Sequence, residues 1–247
     1  MSHVGAIDLA TSLDEGDARA PHQLRELTRW VGDGRALTQT GRIKLADARE
    51  LVALLGTRDA LDPMDGALAT RSSADLPELT LLVEWARACG LVRTVRGRLV
   101  PVARNAGLLD NPQRLWDRMF DVFGRLGPAL CPDGWAESFL RVEFPHAIGA
   151  VLAVTWLRGG RLPRTEACAL AWDIATLRYV LDDATELQLG TWRAMNDRDL
   201  RGALATLAEL GAVDVAGDEV ALTARGMVGV RRAVGDPPRL EAILKPR

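Results

Sequence analysis

The stretch GLVRTVRGRLVPVARN, Gly90 to Asn105, places two arms of alternating apolar residues on either side of an Arg96-Gly97 pair. Alternation with period two is the signature of a half-buried strand, and glycine in a short connection supplies the left-handed backbone a tight hairpin needs. The arms are expected to pair as a β-hairpin, with Pro101 at an edge position where no backbone donor is required. Four arginines and no acidic residue occupy the stretch. It reads either as the basic wing of a nucleic-acid-binding domain or as a solvated hairpin whose guanidinium groups meet carboxylates elsewhere in the fold.

Upstream, DLPELTLLVEWARACG sets Leu79, Leu82, Val83 and Ala86 on one helical stripe that stops at Gly90, with Asp75 and Glu78 at capping-box spacing. Before it, PHQLRELTRWVG predicts a helix bearing Leu24, Leu27 and Val31. RALTQTGRIKLADARELVALLG predicts a short extended piece, then a helix bearing Leu51, Leu54 and Leu55. The order helix, short strand, helix, helix, strand, strand is that of a winged helix-turn-helix, assigned to residues 20–105.

Downstream, the stripe Leu115, Trp116, Met119, Phe120, Phe123 and Leu126 predicts a connecting helix at 112–126, too apolar to swing free. Helices are expected near 145–158, 164–180 and 197–210, then a hairpin around Ala216-Gly217-Asp218 and a closing helix from Met227. A shift of 121 residues lays Gly90 on Gly211, Val92 on Val213, Leu99 on Val220 and Leu79 on Leu200 without a gap. Because a one-residue slip turns a strand over, this echo argues for a second related module at 140–235. The fold class expected is mostly α with short β-hairpins, as tandem winged helix-turn-helix-like modules.

The bulk numbers narrow the function. Across 247 residues, 31 Lys and Arg stand against 33 Asp and Glu, so any contact with a polyanion must be a local patch. Cys89, Cys131 and Cys168 are too few and scattered for a disulfide framework or a four-ligand metal site and suit a reducing compartment. The acidic N-terminus lacks a signal-peptide pattern. The longest apolar stretch, Ala147 to Leu157, is about half a membrane span and is expected to be a core helix, so no membrane partner is expected.

RWVGDGRALTQTGRIKLADARELVALLGT, LTLLVEWARACGLVRTVRGRLVPV and RYVLDD resemble segments of a widespread group of uncharacterised actinobacterial proteins, and similar segments accompany some plasmid pRiA4b ORF-3-like proteins. The resemblance runs over about residues 22–232. It implies a cytoplasmic bacterial protein and carries no activity or functional residue.

The candidate nucleic-acid-binding residues are Arg87, Arg93, Arg96, Arg98 and Arg104 around the hairpin, with Arg42 and Lys44 in the TQTGRIK loop. A wing lies along the phosphate backbone or minor groove while the preceding helix enters the major groove, so Arg96 and Arg98 beside the turn are the leading phosphate contacts. Arg93 fits their alternation less cleanly. Against this stand Asp75, Glu78 and Glu84 on the would-be recognition helix. The second module is more acidic: Asp197, Asp199 and Glu209 on its helix, and Asp214, Asp218 and Glu219 on its hairpin. Its expected partner is a protein or a second copy, while the first module's is double-stranded DNA.

No nucleophile elbow, Walker loop, dinucleotide fingerprint or zinc-protease motif occurs, and no cofactor or metal is expected. Asp182, Asp183 and Glu186 suit solvent exposure better than cation binding, and Glu143 with His146 suits a helix-start contact better than acid/base chemistry. Trp135 and Phe139 form a possible ligand groove between the modules. Three functions follow: a DNA-binding or DNA-associated regulator, a protein-interaction adaptor without nucleic acid, or a small-molecule-binding regulator.

Overall fold

The computed structural model describes residues 18–61, 72–131 and 138–235. The chain is mostly helical, with two small three-stranded antiparallel sheets. The first half runs α1 (Arg19–Val31), β1 (Arg35–Ala36), α2 (Leu45–Leu55), α3 (Pro77–Cys89), β2 (Val92–Val95) and β3 (Arg98–Pro101). A connector follows, α4 (Pro112–Val122), continuing through a 3-10 turn into the short α5 (Gly127–Leu130). The second half repeats the first as α6 (Leu140–Leu157), β4 (Arg161–Pro163), α7 (Arg164–Thr176), α8 (Glu186–Glu209), β5 (Val213–Ala216) and β6 (Glu219–Leu222), before α9 (Ala224–Val234).

The sheets are ordered β1-β3-β2 and β4-β6-β5, so in each half the strand before the helix pair lies beside the last strand. The 121-residue echo holds at the level of individual hydrogen bonds. Val92 pairs with Pro101 and Val213 with Leu222; Leu91 N–H donates to Ala86 O and Ala212 N–H to Leu207 O. Gly90 and Gly211 turn both chains at φ 72° and 73°, a conformation that favours glycine. The turns themselves differ. Arg96 and Gly97 are both left-handed, as in a type I′ connection, whereas in Gly217-Asp218 only the glycine is.

Pro101 lies in the central strand, not at an edge. Val102 N–H donates to Leu91 O, so the Val92/Pro101 pair is of the non-hydrogen-bonded kind and the proline nitrogen faces the β1 side. There β1 reaches only as far as Leu99, and no donor is missed.

α3 begins one residue later than the capping-box spacing implies, with Leu76 and not Asp75 at the N-cap. Its first amides, Glu78 N and Leu79 N, donate to the two carboxylate oxygens of Asp59, while Asp75 accepts from Ser72 N–H outside the helix. A side chain nineteen residues upstream thus satisfies the orphan donors. α7 ends at Thr176 rather than 180, and α8 starts at Glu186 rather than 197, where Thr185 and Gln188 form a reciprocal capping box.

One continuous core runs through both halves and the connector: Leu27, Trp85 and Leu99, then Met119 and Phe123, then Phe144, Leu207 and Val220 are all buried. α6 is longer than its apolar stretch and apolar enough to cross a membrane by length and composition, but half of it is buried inside the protein, including Phe144, Ile148 and Val151.

Candidate nucleic-acid interface

The hairpin pairing sorts the first sheet into two faces. Val92 and Leu99 point into the core, and Thr94 stands opposite Leu99 on that same face near the tip. Arg93, Val95, Arg98 and Val100 occupy the outer face, because directly opposed residues of an antiparallel pair share a side. Arg93 and Arg98 are therefore diagonal neighbours on one surface, in fuller accord than the sequence alternation indicates, and Arg96 stands at the left-handed tip between them.

All three are exposed, as is Arg104 in the turn that follows β3. Among the described residues no carboxylate pairs with any of them; Arg98 donates to Gly34 O at 2.7 Å, which holds its stem along β1. Arg42 and Lys44 are also exposed and free of ion pairs among the described residues, in a loop braced by Arg42 N–H donating to Thr38 Oγ1.

Arg87 differs from the rest. Its guanidinium donates to Glu84 at 2.5 Å, one turn back on α3, and makes longer contacts to Gly41 O and Thr94 Oγ1 on either side. The charge is half-buried and already neutralised by its neighbour. Asp75 is exposed, and Glu78 is drawn away to Arg58.

The would-be recognition helix is largely covered. Along α3 only Pro77 is exposed rather than buried or half-buried; α1, the connector and β2 bury Leu79, Leu82, Val83, Trp85 and Ala86. What remains is a half-buried strip of Thr80, Glu84 and Arg87, flanked by a concavity of about 230 Å³ toward the Thr40–Ile43 loop and a wider one of about 600 Å³ toward α5 and α6. The sequence stripe identified the buried face correctly, but the docked connector closes much of the rest.

The second half inverts this pattern. Arg161 pairs with Glu219 at 2.9 Å, Arg164 with Asp218 at 3.5 Å and Arg198 with Asp199 at 2.8 Å, so arginines of this half meet its own acids on both the hairpin and α8. The concavity of about 410 Å³ between α7 and α8 mixes Arg164, Arg193 and Arg201 with Asp197 and Asp218 and has no single sign.

Phe139 packs inside the second half, against Tyr179 at 4.5 Å, Trp192 at 5.4 Å and Trp172 at 5.9 Å, instead of lining a groove between modules. Trp135 lies outside the described residues. A groove of about 250 Å³ between the halves is lined by other residues, among them Gln23, Arg58, Trp85, Leu130 and Glu209. His146 Nδ1 is 2.9 Å from Glu143, but the histidine is exposed and the glutamate is the buried member, tied also to Arg178 at 3.6 Å. That arrangement joins α6 to the α7–α8 connection. Among the described residues no three His, Cys, Asp or Glu side chains converge as metal ligands.

No protein-family model matches the chain, and comparison with curated proteins and with solved structures returned no match.

Proposed function

We propose that the chain is a DNA-associated regulatory protein of two winged helix-turn-helix modules, residues 20–105 and 140–235, joined by the docked segment 112–126, and that the first wing contacts the phosphate backbone of double-stranded DNA. The winged-helix reading is supported by the helix-strand-helix-helix-strand-strand order in both halves, with the same strand order and a common hairpin register. The unpaired Cys89, Cys131 and Cys168 suit a cytoplasmic setting.

One observation carries the functional reading: Arg93, Arg96, Arg98 and Arg104 stand exposed and unclaimed by any described carboxylate in a chain of formal charge -2, whereas on the second hairpin Asp218 and Glu219 are each paired with an arginine. Guanidinium groups left open in this way match phosphate oxygens in fork geometry. The mechanism is non-covalent, and because α3 is mostly covered, affinity comes from backbone contact and tolerates changes of base sequence.

Fluorescence anisotropy with a mixed-sequence duplex tests this. Binding at low salt is expected to weaken with a log–log slope of about -0.9 for each phosphate neutralised. Replacing Arg93, Arg96 and Arg98 together by alanine is expected to flatten that slope by two to three phosphate equivalents. Wild-type affinity in the triple variant removes the wing from the mechanism.

The covering of α3 and the capture of Arg87 by Glu84 favour a second reading, a protein-interaction adaptor on the same fold. It predicts no duplex binding even at low salt.

A further inference from the structure

Three large aliphatic side chains within eleven residues face solvent almost completely: Leu177 is 80% exposed, Val180 86% and Leu187 81%. They lie on the connection between α7 and α8 and on the first turn of α8. Tyr179 and Val142, also exposed, flank them at the same end of the second half. Isolated apolar residues on a surface need no explanation, but a group of this kind marks an interaction site.

The surface is held in place from beneath. Phe139 at the N-cap of α6, Trp172 on α7, Tyr179 in the connection and Trp192 on α8 meet through their rings, and Glu143 draws Arg178 toward α6. The Thr185–Gln188 capping box fixes where α8 begins. The exposed side chains therefore stand on an ordered platform and lose little freedom when covered.

We infer that this surface is a self-association face, occupied by the same face of a second copy of the chain about a two-fold axis. The exposed parts of Val142, Leu177, Tyr179, Val180 and Leu187 sum to roughly 600 Å², most of the roughly 800 Å² per partner that a stable interface buries. The charges around it fit that occupant. Arg178 and Arg193 are exposed, the first 3.6 Å from Glu143 and the second over the Trp172 ring, and Asp182, Asp183 and Glu186 are exposed with no ion pair among the described residues. A face that carries both signs beside its apolar group meets the demand of an isologous interface, in which one patch must complement itself. Three carboxylates at the edge also repel an anionic lipid surface.

The inference stands apart from the proposed DNA contact, since it places no demand on the first wing. Sedimentation velocity of the full chain without nucleic acid, from about 1 to about 100 µM, tests it. The wild type is expected to pass from monomer to dimer across that range. Val180→Asp with Leu187→Asp is expected to raise the dissociation constant at least tenfold; both side chains are already solvated, so the circular dichroism spectrum and melting temperature should be unchanged. Two results overturn the inference: a wild type that stays monomeric throughout, or a double variant that associates as strongly as the wild type.

Discussion

Trp116 donates its indole N–H to the backbone carbonyl of Leu210 at 2.6 Å, joining the connector α4 to the end of α8. From the other side, Trp85 of α3 donates to the carbonyl of Met119, again on α4, at 3.1 Å. Phe120 stacks on Trp116 and the Arg225 guanidinium lies 4.6 Å above its ring. Both halves thus grip the same helix through buried indoles, and they should unfold together. Trp116→Phe keeps most of the packing but strips the Leu210 carbonyl of this donor, an expected cost of about 1–3 kcal/mol. Trp116→Ala also leaves a cavity and should cost about 3–5 kcal/mol. In urea titrations, circular dichroism and tryptophan fluorescence should give coincident midpoints for the wild type and for both variants. Separate transitions would show that the connector does not couple the halves.

The glycines of α8 and α9 should respond in opposite directions to alanine. A β-carbon at Gly226 would sit 1.9 Å from the Ala212 carbonyl oxygen, where backbone meets backbone. Gly226→Ala must therefore push α9 off the second hairpin and is expected to cost about 2–3 kcal/mol or more. Gly202, in the middle of α8, has nothing within 4 Å of its would-be β-carbon. Gly202→Ala should stabilise by about 0.5–1 kcal/mol, because alanine narrows the unfolded ensemble and favours helix. Thermal melts of the two variants give the check.

What could be read from the sequence was what depends on near neighbours. The hairpin at 90–105 and its copy 121 residues on were legible because alternation, a glycine turn and a helix-stopping glycine are local signals that fail together if the register slips. Strand β4 left no such signal: its three residues become a strand only through pairing with β6, nearly sixty positions away. The first turns of α8 were hidden because they face solvent for most of their length, Leu187 included, and so bury no regular apolar stripe, although the Thr185–Gln188 box was there to be found. The cap of α3 by Asp59 crosses a loop, where pattern reading has no reach. For the candidate interface, the arginines could be named in advance, and Glu84–Arg87 has the i, i+3 spacing of a helical pair. That the first hairpin's arginines stay clear of every described carboxylate, and that the connector covers α3, are facts of tertiary packing.

Stability should fall on the alkaline side. Burial pushes the thiols of Cys89 and Cys131 up from the ordinary 9.0 to about 12. The folded chain keeps these protons while the unfolded chain releases them above about pH 9, so the contribution is complete below that pH and is lost as pH rises toward about 12. Each thiol adds a slope of up to about 1.4 kcal/mol per pH unit in that window. Urea midpoints measured on both sides of the window should show the decline, and Cys89→Ala should make it shallower. A slope identical in the variant would assign the alkaline loss to other groups.

Glu84 and Arg87 should set how much of α3 takes part in nucleic-acid binding. Their side chains meet at 2.5 Å on the strip of α3 nearest the wing, so Arg87 offers little charge outward and Glu84 presents a carboxylate beside the candidate phosphate contacts. Glu84→Gln removes the repulsive charge and releases the guanidinium at once. Pairs exposed to this degree are worth about 0.2–1 kcal/mol, so the fold should tolerate the change. Duplex affinity is expected to rise about two- to fivefold, and the salt dependence to steepen by close to one phosphate equivalent. Arg87→Ala should weaken binding less than Arg96→Ala does, because its charge is already spent within the protein. Anisotropy titrations at two salt concentrations separate these effects. Equal affinity for Glu84→Gln and wild type would confine the contact to the wing and leave the α3 strip facing away from the duplex.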